Sequence, residues 1–172
     1  DWAALERAYD EAVQRGNLRY TDCGWNPQRF TRKWLENFGQ SANHIPGFQA
    51  GTSQGKTQLE IAARQSLLRL FRFLRQQPGL ENLRIDYLAP ECGVRETTVI
   101  VGKAEVTGQD YASGRKWEDG VCNSFYPIDL HVDAAAEVDI QPLADGTVAS
   151  IPRRALLPAN SRGFLVAGRC IA

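Results

Sequence analysis

The chain of 172 residues contains no methionine and only two histidines. Average usage would supply a few methionines at this length. Its four cysteines, Cys23, Cys92, Cys122 and Cys170, never stand in C-x-x-C spacing. Scattered thiols with so little histidine argue against a zinc site or a disulfide framework, and free thiols are expected. Net charge is missing too. Twenty basic and twenty acidic residues cancel to +0. No global field therefore draws the chain to nucleic acid or to an anionic membrane surface. No apolar run approaches the roughly 20 residues of a membrane span. No signal peptide is visible. Internal repeats and low-complexity tracts are absent. So are a serine elbow and a paired thiol, which leaves no sign of nucleophilic catalysis.

What is present is ordinary for a globular protein. Hydrophobic residues make up 43% and charged residues 23%, enough apolar material for one domain, or for one domain plus part of another. Residues 2–15 read as an amphipathic helix. Trp2, Leu5, Tyr9 and Ala12 form its stripe, and Gly16 is a natural stop. A short helix is expected over 29–37, with Phe30, Trp34 and Leu35. A loop follows to Gly55, rich in Gly, Ser, Asn and Pro. The clearest helix spans about 57–76, with Leu59, Ala63, Leu67, Leu70, Phe71 and Leu74 on its apolar side. Arg64, Arg69, Arg72 and Arg75 fall on the opposite arc. Strands are expected at 83–88, 97–106, 126–132 and 163–168, and a hairpin of 138–141 with 147–151 around Asp145-Gly146. A short helix is expected within 108–119. The pattern predicts an α+β fold, a mixed or antiparallel sheet with packed helices.

Several stretches could carry chemistry. Ala50-Gly51-Thr52-Ser53-Gln54-Gly55-Lys56-Thr57 fits a relaxed phosphate loop, in which backbone N–H groups and Lys56 would hold phosphates. No strand precedes it, because Ile45-Pro46-Gly47-Phe48 breaks any apolar run. A loop and helix start is the plainer reading. The arginine face of helix 57–76 could hold a phosphate backbone, or it is solvated, or it pairs with a neighbouring layer. Asp129 and His131 stand two apart on a strand, hence on one face, with Tyr126, Ile128, Leu130 and Val132 on the other. They could converge on a substrate, with His131 moving a proton near neutral pH. They could equally be the polar outer face of a half-buried strand. Arg95 could clamp an anion through its planar fork or form a structural ion pair.

The stretch from Ser161 to Ile171, with Gly163-Phe164-Leu165-Val166-Ala167-Gly168-Arg169, reads as a short buried strand entering a Gly-Arg turn. Ile151-Pro152-Arg153-Arg154-Ala155-Leu156-Leu157-Pro158 precedes it. Together with Gly93-Val94-Arg95-Glu96-Thr97 and Tyr126-Pro127-Ile128-Asp129-Leu130-His131, these resemble the FAD-dependent oxidoreductases, in order and rough spacing, over about residues 55–172. The resemblance implies FAD as cofactor and part of a larger Rossmann-like flavoprotein binding FAD or NAD(P). It implies Ala167, Gly168 and Arg169 at the cofactor, and Arg95 and Arg154 at a small-molecule substrate. It raises Asp129 and His131 as catalytic candidates. The family's pattern departs here at Arg153, where an aromatic residue is common, and after Thr97, where a further arginine tends to follow.

Such enzymes open with a G-x-G-x-x-G turn that sets a helix N-terminus on the dinucleotide pyrophosphate. That motif is not in this sequence. Residues 1–160 are therefore expected to be the substrate or cap region, and 161–172 the start of the closing FAD-binding segment. The remainder of the same polypeptide is the expected partner, and the isolated chain is expected to be inactive and not to retain FAD. The alternative is a non-catalytic binding or lid module.

Overall fold

The computed structural model describes residues 1–24, 30–37, 39, 43–95, 98–132 and 137–172, with His131, Val132 and Glu137 described by backbone alone. Glu96 and Thr97 lie outside the described residues. The chain divides into two compact units, residues 1–93 with 131–138, and residues 94–130 with 139–172. Helices and small antiparallel sheets make the α+β composition that the sequence predicts.

The first unit is built on helices. Asp1 caps α1 (Trp2–Gln14), its carboxylate accepting from the Ala4 N–H at 3.2 Å. Leu5, Tyr9 and Ala12 form the buried face as expected, but Trp2, expected on the same stripe, is exposed, and Gly16 ends the helix at φ +76°. Only glycine adopts such a φ without strain. The short α2 (Arg32–Glu36) follows. The long α3 (Ser53–Arg75) begins before residue 57, because Thr52 caps it through Oγ1 to the Gly55 N–H at 3.1 Å. Gly55 is required there, since a Cβ would stand 2.0 Å from the Gln49 carbonyl oxygen. Leu70 and Leu74 of α3 close the core with Leu5, Tyr9, Leu18, Cys23 and Phe30. Tyr9 stacks on Phe30 at 5.0 Å between centroids and meets Phe73 edge-on at 5.9 Å. Each large apolar side chain buried in this way contributes about 1.5–3 kcal/mol.

One polar cluster sits in that core. Asp22 is fully buried. It accepts from Ser66 Oγ at 2.5 Å, from Arg69 Nη2 at 2.7 Å and Nε at 3.2 Å, and from the Arg19 N–H at 2.9 Å. Arg69 thus turns inward, the reading of the arginine face in which it pairs with a neighbouring layer. A buried carboxylate without a partner costs far more than the guanidinium stem costs to bend. Beside it, Cys23 Sγ donates to Tyr9 Oη at 2.9 Å. Burial pushes the Cys23 thiol up to about 11 and the Tyr9 phenol higher still. Burial, with the Glu60 carboxylate nearby, raises Cys92 to about 11. Cys122 and Cys170 are exposed. The thiolate is the reacting form, so iodoacetamide at about pH 8 should label Cys122 and Cys170 first, then Cys92, and Cys23 only on denaturation. Peptide mass spectrometry over a time course checks this order. Early labelling of Cys23 in the folded chain would contradict it.

The second unit carries the short α4 (Gly108–Ala112), closed by a capping box. Thr107 Oγ1 accepts from the Asp110 N–H at 3.1 Å, and Asp110 Oδ2 accepts from the Thr107 N–H at 3.2 Å. Among the described residues four strands follow in the sequence: β1 (Gly120–Ser124), β2 (Ile128–Val132), β3 (Glu137–Gln141) and β4 (Ala149–Pro152), residues 131–138 being counted with the first unit. β1 pairs antiparallel with β4, Gly120 opposite Pro152 and Ser124 opposite Ala149, with an irregularity between Gly120 and Cys122. β2 pairs with β3.

Three expectations are corrected. The Asp145-Gly146 turn forms, with Gly146 at φ +77°, but the segments flanking it do not pair with each other; each joins another strand. β1 was not expected, because Gly-Val-Cys-Asn-Ser shows no alternation. Regular strands at 83–88, 98–106 and 163–168 do not form. Gly102 makes a single bridge to Pro158, and Phe164 and Leu165 are exposed rather than buried. β-branched and aromatic residues favour a strand only where a ladder and a packed face are available.

Candidate functional site

The predicted site residues fall mostly on the second unit. Arg95 lies outside the regular elements and Asp129 in β2, 34 positions apart, and Arg95 Nη2 donates to Asp129 Oδ2 at 2.9 Å. The Asp129 side chain is 16% exposed and that of Arg95 is 47%. Of the two readings left open for this strand, Asp129 is not on a fully solvated face: it is sheltered, while Leu130 is half exposed and Ile128 partly buried. Such a half-exposed pair contributes little stability, about 0–1 kcal/mol. What it does is fix the direction of the two side chains. The backbone of His131 lies in β2 two residues beyond Asp129; its side chain is outside the described residues.

Arg154 sits in a 3-10 turn, Arg153–Leu156, directly after β4. Its Nε and Nη2 reach the two oxygens of Asp119 at 3.0 and 3.1 Å. The hydrogen bonds from Arg154 hold the Asp119 carboxyl below its usual range, and the carboxylate raises the guanidinium in return. Asp119 escaped the sequence reading because no spacing links it to residue 154. Among the described residues, neither Arg154 nor Arg169 has a hydrogen bond or ion pair to the Arg95–Asp129 pair.

Ala167 is extended, and Gly168 to Cys170 form a 3-10 turn. Gly168 has φ +76°, and a Cβ there would meet nothing within 4 Å. The backbone dihedral demands glycine, and the space beside it stays open. Arg169 is exposed, with no hydrogen bond or ion pair among the described residues. The stretch is held by the Ile100 N–H on the Cys170 carbonyl at 2.9 Å and the Ala172 N–H on the Ala155 carbonyl at 3.1 Å. An open backbone with a cation beside it fits the approach of an anionic cofactor group.

An open cleft of about 330 Å³ lies in the same unit. Phe125, Pro127, Ile140 and Leu143 give it apolar walls, and the Asp145–Thr147 turn gives it a polar rim. Its Pro127 immediately precedes β2. Tyr111 was also missed: its hydroxyl lies 2.5 Å from Ser124 Oγ and donates to the Tyr126 carbonyl at 2.9 Å, bracing this wall.

Two alternatives lose ground. In the stretch 50–57, Thr52 already caps the helix, and Lys56 Nζ pairs with Glu91 at 3.0 Å. No strand leads into it, so the geometry is that of a helix start. On the arginine face, Arg64 bonds the Pro90 carbonyl, Arg69 bonds Asp22, and Arg75 bonds the Glu81 carbonyl. These three cations are used within their own unit, while Arg72, also on this face, is exposed. Among the described residues no cluster of metal-ligating groups occurs, and no helix is long and apolar enough to cross a membrane.

The second unit thus holds an open glycine backbone, the exposed Arg169 and two arginine–carboxylate pairs. The chain belongs to the FAD-dependent oxidoreductase family: the family model described as FAD dependent oxidoreductase matches residues 1–172, its whole length. No curated protein and no solved structure matches it. Membership implies an oxidoreductase that works with FAD.

Proposed function

We propose that residues 1–172 form the substrate side of an FAD-dependent oxidoreductase, with the flavin held mainly by polypeptide outside this chain. The observation that carries this reading is the Arg95–Asp129 pair. Two residues from separate stretches resembling the family's pattern meet at 2.9 Å, in a unit that also holds Arg154 and the Gly168-Arg169 turn. Hydride transfer is the chemistry FAD supplies when bound. Ala167 and Gly168 allow close approach of the cofactor, and Arg169 offers charge to its phosphate or ribityl oxygens. Arg95 and Arg154 bind and orient a small-molecule substrate. Asp129 holds the Arg95 fork, and the His131 imidazole accepts the proton that the substrate gives up as its hydride passes to the flavin.

One feature supports the division of labour: no G-x-G-x-x-G occurs in the sequence, although that turn is a standard pyrophosphate contact.

Titration of FAD into the 172-residue chain, followed by flavin fluorescence, tests the division. No tight one-to-one binding is expected, while a longer polypeptide that supplies the pyrophosphate turn retains FAD. Stoichiometric, tight binding by residues 1–172 alone would overturn it.

A further inference from the structure

We propose that Asp119 is a positioning residue: it grips Arg154 by the Nε–Nη2 edge of the guanidinium and so presents the Nη1 side to an oxyanion of the substrate, a carboxylate or a phosphate. The inference rests on the reading that Arg154 faces substrate, and it adds how that arginine is aimed.

Asp119 is placed by the sheet. Gly120, its neighbour, pairs with Pro152. A Cβ on Gly120 would stand 2.3 Å from Ser150 Oγ, so a side chain here would make Ser150 turn away. The Arg153 N–H then donates to the Asp119 carbonyl at 2.8 Å. Asp119 Oδ2 accepts both the Arg154 backbone N–H and its Nε, each at 3.0 Å, while Oδ1 accepts Nη2 at 3.1 Å. One carboxylate oxygen thus ties the side chain of Arg154 to its own backbone. That backbone is fixed in turn, because the Arg154 carbonyl accepts from the Lys103 N–H at 3.1 Å.

The guanidinium is a planar fork with five donors. Two are used on Asp119. Nη1 has no partner among the described residues, and the side chain is 49% exposed. The remaining side is thus ordered but open. An arginine already held in one orientation loses less freedom when it binds, and affinity gains by that difference. The charge of Asp119 works the other way. It offsets the attraction of Arg154 for an anion, so its contribution is geometric.

That opposition decides the test. If Asp119 acts through charge alone, Asp119→Asn strengthens anion binding. If it acts by holding Arg154, Asp119→Asn weakens it. The probe is inorganic phosphate, titrated into the full chain and followed at the Arg154 Nε–H signal in ¹H–¹⁵N NMR, assigned with Arg154→Lys. A saturable shift is expected in the wild type, with affinity roughly three- to tenfold weaker in Asp119→Asn. Asp119→Glu keeps the charge but displaces the fork, and should weaken binding as well. It carries the test if the Asn variant does not fold. Wild-type protein with no saturable shift would refute the substrate-side role of Arg154, and the proposal with it. Saturable wild-type binding that is equal or tighter in a folded Asp119 variant would leave that role standing and overturn the positioning claim.

Discussion

Replacing Asp22 by alanine should cost about 3–5 kcal/mol, the scale for breaking a buried pair by removing one partner. Asp22 is fully buried at the junction of the helices and gathers four donor contacts. Its loss strands Ser66, itself 1% exposed, with Asn43 Nδ2 at 2.8 Å as its remaining partner. It also leaves the Arg69 guanidinium, 30% exposed, facing an apolar core. Asp22→Asn keeps the shape and one acceptor, so it should fall between the alanine variant and the wild type. Arg69→Ala should be comparably damaging, because it leaves the carboxylate buried with neutral donors only. Arg15→Ala is the control. Its i,i+4 pair with Glu11 is exposed at 70% and 57%, and such pairs contribute about 0.3–0.5 kcal/mol. Urea titration of the four variants measures this directly, and in thermal melts the alanine loss should appear as roughly 6–20 °C. An Asp22→Ala variant within about 1 kcal/mol of the wild type would mean that the cluster is not the keystone this geometry implies.

The second large effect concerns His131. In the FAD-loaded oxidoreductase, His131→Asn should slow flavin reduction by roughly 10²–10⁴-fold, the usual scale of general acid–base catalysis. Its imidazole is the one side chain in the resembling Tyr-Pro-Ile-Asp-Leu-His stretch whose ordinary pKa lies near neutrality. Its backbone is held in β2, and sites on regular elements are aimed more firmly than sites on loops. FAD content and melting temperature should stay near wild type. Anaerobic stopped-flow reduction beside a thermal melt separates a proton-transfer role from a structural one. An unchanged reduction rate, or activity lost only together with stability, would remove His131 from the chemistry.

The amino-acid sequence by itself determined the helices and the family. Leu5, Tyr9 and Ala12 of α1 and Leu59, Leu70 and Leu74 of α3 are buried where the 3.6-residue period places them. A helix is made of contacts three and four residues apart, so its inward face is written locally. The Gly-Arg turn was legible for a similar reason, since the positive φ of Gly168 is a property of one residue. The start of α3 was misjudged because Thr52, a cap, outweighs the apolar stripe that begins after it.

Only the tertiary structure decided the sheets and the ion pairs. β1 joins β4 through residues some thirty positions apart, and nothing in Gly-Val-Cys-Asn-Ser announces it. Arg69 meets Asp22 across 47 positions, Arg154 meets Asp119 across 35, and Arg95 meets Asp129 across 34. On β2 the alternation of Ile128, Asp129 and Leu130 showed two faces but not which one turns inward, and the Arg95 guanidinium favours the face that carries Asp129. Ladder pairing and charge pairing depend on which distant segment arrives alongside. Chain folding sets that register, and no local period encodes it.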